Sequence, residues 1–204
     1  MKGMKKVLVF AAMMITAFAM SVSVQAASSK ASQAKKAYRK FLSTNAAKYV
    51  EQSQGRNSNL RFALVDINYD GTPELYVDVK GKAMSYFAYI NGKVVKIGTN
   101  TYSRCTARYP KSRVLKYSIS GARGCSYKMY LRFNGKNRMT ELVKITYPNG
   151  RTGYTYATSG VPSTRRNISK NTYYNILNSY NLKGAKGFPT IVKNTSSNRS
   201  RYCA

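Results

Sequence analysis

The dipeptide Asn-Gly stands twice between runs of alternating apolar and polar residues, in "SYFAYI-NG-KVVKI" and in "YKMYLRF-NG-KNRMTELVKI". Asn and Gly tolerate the positive φ of a two-residue hairpin turn, so this pattern is the strongest short-range hairpin signal available. "KITYPNGRTGYTYA" offers a third turn, and "RVLKYSIS" alternates like another strand. Helical spacing brackets these strands. In "SSKASQAKKAYRKFLSTNAAKYVEQ", Ala34, Ala37, Tyr38, Phe41 and Leu42 share a face, with lysines and Arg39 opposite. In "NISKNTYYNILNSYNLKG", Ser169 is the expected N-cap, Tyr173, Ile176, Leu177 and Tyr180 form a face, and Gly184 is the expected stop. The expectation is one α+β domain over residues 27–190: a mainly antiparallel hairpin meander with an N-terminal and a C-terminal helix. The closing "KNTSSNRSRYCA" is polar and basic, and residues 191–204 read as a flexible tail.

The first 26 residues have the anatomy of a secretory leader of bacterial style. "MKGMKK" is a positive n-region, "VLVFAAMMITAFAM" is an apolar core, and Val24-Gln25-Ala26 fits the small-x-small cleavage rule. The apolar core is short against the roughly 20 residues of a membrane span, which favours cleavage after Ala26 over an anchor. The expected location is secreted, with association to the cell surface.

Charge narrows the partners. The chain holds 35 Lys and Arg against 6 Asp and Glu, a formal net charge of +29. Solubility alone does not require such an imbalance. It points to polyanionic surroundings: wall polymer, acidic glycan such as mucin, extracellular DNA, or an anionic membrane surface. The densest stretch interleaves basic residues with tyrosines and contains no acid. Arg104, Arg108, Lys111, Arg113, Lys116, Arg123, Lys128 and Arg132 are the candidate polyanion contacts. Their cations would neutralise phosphate, sulfate or carboxylate, while tyrosine faces stack on sugars or bases. No sequence-reading nucleic-acid module is present.

Against this background, "RFALVDINYDGTPELYVDV" carries Asp66, Asp70, Glu74 and Asp78, four of the six acids, within one strand–loop–strand segment. Asp66, Asn68, Asp70 and Glu74 supply side-chain oxygens at relative positions 1, 3, 5 and 9, with the Thr72 carbonyl at position 7. Calcium needs such a set of hard oxygens on a loop that curls, and Gly71 permits the turn. Position 12 is Val77 and the flanks are strands, so this is not the helix–loop–helix hand. The loop resembles the strand–loop–strand calcium loops, D-x-[DN]-x-D-G-x-x-[DE], of integrin-type FG-GAP repeats. The wider segment resembles small secreted proteins of gut-type clostridia that carry a "DINGDGTPEL" segment. That resemblance covers roughly residues 34–100 and implies a calcium-bearing extracytoplasmic domain without implying an activity. Tyr69 stands where that family often has glycine, which implies a stiffer loop.

The three cysteines match no zinc spacing, and the chain has no histidine. In an exported chain, Cys105 and Cys125 could close a loop of about 20 residues, worth roughly 3 kcal/mol, leaving Cys203 as the odd thiol. The alternative is three unpaired thiols. Without histidine there is no His-based triad or imidazole base. Glu51, Asp78 and Glu141 are the carboxylates left outside the loop, and nothing in their spacing places two together. No small-molecule cofactor motif is present. The leading function is therefore a secreted, calcium-stabilised cationic protein that binds anionic polymer. A hydrolase acting on such a polymer, and a membrane-active toxin or antimicrobial, are the competing classes.

Overall fold

The computed structural model describes residues 29–50, 53–80, 82–100, 105–134, 139–158 and 165–204. The expected leader, residues 1–26, lies outside them. The chain is α+β. Helix α1 (29–44) and the short α2 (Ala46–Tyr49) precede strands β1 (Arg61–Val65), β2 (Glu74–Val79), β3 (Lys82–Ile90) and β4 (Lys93–Asn100). Then come β5 (Cys105–Tyr109), β6 (Val114–Ser120), β7 (Ser126–Phe133), β8 (Met139–Thr146), β9 (Thr152–Thr158) and β10 (Arg166–Asn167). Helix α3 (Lys170–Ser179), β11 (Val192–Lys193) and helix α4 (Ser196–Tyr202) complete the chain.

The hairpin rhythm produces two antiparallel sheets, where one was expected. Sheet A has the order β11-β1-β2-β3-β4, and sheet B the order β10-β9-β8-β7-β6-β5. Asn91 and Gly92 join β3 to β4 with φ of 49° and 79°, the double positive φ that their sequence demands. The second Asn-Gly turn falls partly outside the described residues, although β7 and β8 pair from Phe133↔Met139 onward.

Alternation along the strands stacks four layers. On β2, Leu75 and Val77 face Tyr38, Leu42 and Ala46 of the helices. Tyr76, one residue out of phase, faces sheet B, where Leu115, Tyr117, Leu131 and Val143 meet it. The far face of sheet B carries Val114, Tyr130 and Leu142, which α3 covers with Tyr173 and Tyr180. The order is helices, sheet A, sheet B, helix. The two sheets approach closely at Gly98, where a Cβ would lie 2.7 Å from the Met139 sulfur.

Both helices follow their predicted faces. Ala34, Tyr38 and Leu42 are fully buried, with Phe41 packed against the same cluster. Ser169 caps α3 by accepting from the Thr172 amide at 3.0 Å. The helix ends sooner than Gly184, because Asn181 at φ 47° already takes the left-handed turn.

The C-terminal segment corrects the expectation of a flexible tail. Val192 and Lys193 pair with Phe62 and Arg61 at the edge of sheet A. The Asn194 side-chain amide donates to the carbonyls of Leu42 and Asn57 at 2.8 and 3.0 Å. Thr195 caps α4, and Cys203 is 1% exposed in the helix–sheet core. The residues read as tail-like by composition are here a strand partner, a bridging amide and a helix cap.

The Cys105–Cys125 bridge is also overturned, and all three cysteines are free thiols. Cys105 lies opposite Tyr117 on β6, whereas the Cys125 carbonyl accepts from Gly121, four residues further along that strand. That offset alone is about 13 Å, well beyond the reach of a disulfide. Burial pushes the Cys105 thiol up to about 12, which keeps it a neutral, inert thiol.

Asp78 is 0% exposed and anchors sheet A from within. Arg61 grips it with two hydrogen bonds of 2.8 Å, and the Tyr76 hydroxyl donates to it at 2.8 Å. Arg61→Leu leaves this carboxylate buried and unpaired, so chemical denaturation should show a loss of about 3 kcal/mol. The double replacement Arg61→Leu with Asp78→Leu should recover more than half of that loss, because no uncompensated charge remains.

Candidate functional site

The loop between β1 and β2 curls on its own side chains. The two Asp66 carboxylate oxygens accept from the amides of Asp70 and Gly71 at 3.2 and 3.1 Å. Asn68 Oδ1 accepts from the Asp70 amide at 3.0 Å, and Asp70 Oδ1 accepts from Thr72 at 2.7 Å. Tyr69 and Gly71 both hold positive φ, 58° and 82°. Asn68, Asp70, Thr72 and Glu74 line one cavity of about 190 Å³, and the Lys30 ammonium stands 3.9 Å from Asp70. Asp66 is not part of that lining, being turned toward the loop's amides. An ionised carboxylate keeps further lone pairs beyond those amides, so its oxygens remain usable donors. Among the described residues, no three His, Cys, Asp or Glu side chains already converge as a metal group. A cation in this loop would therefore rely on Asn68 and backbone carbonyls beside the acids.

Glu74 is the buried member of the set, 3% exposed, with Oε2 accepting from the Ile67 amide at 2.8 Å. Burial pushes its carboxyl from an ordinary 4.5 up to about 8, against the Ile67 hydrogen bond, and Asp70 and Asp66 add to the rise. The other described acids are engaged elsewhere: Asp78 with Arg61, and Glu141 with Arg165. Burial raises the Glu141 carboxyl while the Arg165 guanidinium opposes that rise. Glu51 lies outside the described residues.

The basic stretch is divided by strand alternation. Arg104 lies outside the described residues. Lys116, Lys128 and Arg132 stand on the same side as Tyr130, the outer face of sheet B, while Met129 and Leu131 point into the inter-sheet core. Lys128 sits directly opposite Lys144 on β8, a like-charge pair that costs stability unless an anion lies over it. Lys111 lies within the 3₁₀ turn Pro110–Ser112 that precedes β6, and Arg113 caps it. Arg108 does not join them. On the edge strand β5 it pairs opposite Leu115, and its Nε donates to the Gly187 carbonyl at 3.0 Å. Arg123 sits at the far end of β6 from Arg113, about 23 Å along the strand.

Lys111, Arg113 and Arg132 converge on a cavity of about 670 Å³ that also takes Asn134, Tyr156 and Tyr180 in its wall. Among the described residues, no carboxylate lines it. The backbone that carries Lys111 and Arg113 is tied down, and the Arg132 side chain is stacked. The Arg113 amide donates to Pro110, its carbonyl accepts from Phe133 at 2.9 Å, and Ser112 Oγ donates to Asn181 at the end of α3. The Arg132 guanidinium lies 5.1 Å from the centre of the Tyr180 ring, and Arg166 lies 5.7 Å from that of Tyr156. Stacking on tyrosine fixes a guanidinium without neutralising it, so its donors stay available.

Sequence reading missed Tyr156, Tyr180, Asn134 and Lys144 as members of this surface. The period-two pattern "GYTYA" did signal that Tyr154 and Tyr156 share a face. What it could not supply was the α3 docking that brings Tyr180 to Arg132. Among the described residues no helix is long and apolar enough to cross a membrane. Set against described protein families, characterised proteins and solved structures, the chain matches none.

The Glu74 carboxyl gives a direct test of the metal-free loop. Its folded value lies above its unfolded one, so its contribution to stability is present below about 4.5 and is lost as pH rises through about 8. In chelator, the melting temperature should fall from about pH 5 to about pH 8. Glu74→Gln should flatten that fall, as followed by circular dichroism.

Proposed function

We propose that this chain is a secreted, calcium-stabilised cationic protein that attaches to anionic polymer outside the cell. The observation that carries the reading is the cavity where Lys111, Arg113 and Arg132 meet with no neutralising acid among the described residues. Its cations face outward from a sheet that adds Lys116, Lys128 and Lys144 on the same side. Asp70, Asp78 and Glu141 pair with Lys30, Arg61 and Arg165, all outside the basic stretch from Arg104 to Arg132. Wall polymer, acidic glycan and extracellular DNA all supply the repeated anions that such a face would take.

Calcium has a structural role in this reading. Asn68, Asp70, the Thr72 carbonyl and Glu74 would hold it from the cavity they share, with Asp66 from the loop side. The ion would supply positive charge at the buried Glu74 carboxylate. Calcium at about 100 times its Kd should raise the melting temperature by about 5 °C, and Asp70→Ala should remove the rise. An identical melting curve in calcium and in chelator would end the calcium claim.

For the polymer, affinity for heparin, a DNA fragment or teichoic acid should fall log-linearly with salt. Arg132→Ala should lower the slope by about one and weaken all three to a similar extent. Equal affinity for an uncharged glycan, with no effect of salt, would remove the proposal.

A further inference from the structure

A second cavity, of about 450 Å³, lies at the end of sheet B away from Lys111 and Arg113, beside the β8–β9 hairpin. Its wall includes Tyr147, Asn149, Arg151, Thr152, Tyr154 and Asn167. The hairpin that presents it is rigid. The Tyr147 amide donates to Arg151 at 2.9 Å, Gly150 donates back to Tyr147 at 3.0 Å, and the Asn149 side chain accepts from the Arg151 amide at 3.1 Å. Gly150 takes φ 78°, the left-handed position that closes a three-residue hairpin loop. Pro148 is braced by the β6–β7 turn, where a Cβ on Gly124 would lie 3.2 Å from its ring.

Two tyrosines are set by this frame. The Tyr147 ring lies over Gly153, with ring atoms 3.6 Å from where a Cβ would stand, yet Tyr147 is 41% exposed. The Tyr154 ring stands on the α3 face of sheet B, opposite the face where Tyr147 lies over Gly153, and packs against Tyr173 at 4.9 Å and Tyr174 at 6.2 Å. Tyr147 and Tyr154 both line the cavity, one from each face of β9. Strand β10 stops at the Asn167↔Thr155 pair, with Ile168 donating to Tyr154, and so covers no backbone of Thr152 or Gly153. The cavity thus offers tyrosine rings, two side-chain amides, a threonine hydroxyl and open strand edge. Among the described residues, Arg151 is the one charged side chain in its wall.

This chemistry differs from that of the cationic cavity. A ligand here is mostly uncharged, has an apolar face for tyrosine and carries many hydroxyls at its rim. A sugar ring meets all three conditions. A nucleotide would bring a phosphate for each base, and the wall has a single cation to receive it. We infer that this cavity binds a sugar ring, and that the polymer held by the protein is an acidic polysaccharide. The identification of the polymer rests on the polyanion reading above; the sugar site itself does not. Helix α3 lies between the two cavities, with Tyr173 and Tyr174 toward the tyrosine site and Ser179 and Tyr180 at the cationic one. Its length of about 15 Å sets the spacing that one extended chain would bridge.

Calorimetry at two ionic strengths on the full chain separates the two sites, using a hyaluronan hexasaccharide, inorganic polyphosphate and oligothymidylate as probes. Polyphosphate has charge but no rings. Tyr147→Ala should weaken the hexasaccharide about tenfold and leave polyphosphate within about twofold, while Tyr147→Phe should bind like the parent. Equal effects on both probes, or none on either while polyphosphate binding keeps its salt dependence, overturn the sugar site and leave the cationic face standing. A larger loss for oligothymidylate than for the hexasaccharide makes the site a base platform and also overturns it. If the parent chain binds none of the three anionic probes, the polyanion reading falls, and with it the acidic polysaccharide.

Discussion

Strand β2 is buried on both faces, and the layers of the molecule are stacked on that fact. It lies at the centre of sheet A, with Leu75 and Val77 against the helices and Tyr76 against sheet B. The side facing sheet B also carries Glu74 and Asp78, so the most enclosed strand contains two carboxylates. A buried charge is tolerated only when partners replace the water it has lost. Asp78 has Arg61 in a two-pronged grip and a Tyr76 hydroxyl. Glu74 has one amide, from Ile67, and a loop full of oxygens beside it. The first site is satisfied within the protein, and the second is short of positive charge.

That imbalance explains how acids and bases are distributed. The described acids are spent in the β1–β2 loop, in sheet A and on the inward side of β8, where Glu141 is buried beside Arg165. None stands on the outer face of sheet B. Its cations therefore keep their field, and Lys128 can oppose Lys144 with no acid between them. A net charge of +29 becomes a directed surface because the few available counter-charges are held elsewhere.

Local patterns were legible in the sequence, and long-range ones were not. Asn91-Gly92, the alternation of "RVLKYSIS" and the faces of α1 and α3 each rest on a few neighbouring residues, and each appears as expected. The division into two sheets depends on which apolar face meets which, and hairpin turns carry no information about that. The tail was misjudged because Asn194 and Thr195 look like solvent-loving residues until their partners, Leu42, Asn57 and Asn198, are known. Cys105 and Cys125 are near in sequence, but the register of β5, β6 and β7 keeps them apart. The basic stretch was read as a line, whereas alternation sends Arg108 to one side and Lys116, Lys128 and Arg132 to the other. In the acidic loop, Asn68, Asp70, Thr72 and Glu74 line one cavity, whereas Asp66 turned to the amides of Asp70 and Gly71, which lie close to it in sequence.

The loop and the cationic cavity are neighbours, and this links the two halves of the functional reading. Phe133 lies in the wall of both cavities, the one that Asp70 and Glu74 line and the one that Arg113 and Arg132 line. At physiological salt, exposed charges act on each other over a screening length of roughly 8 Å. Were calcium to sit in the loop, as proposed above, it would offset the charge of Asp66 and Asp70 without adding a contact to an anionic ligand, and stability and binding would then be tied through charge.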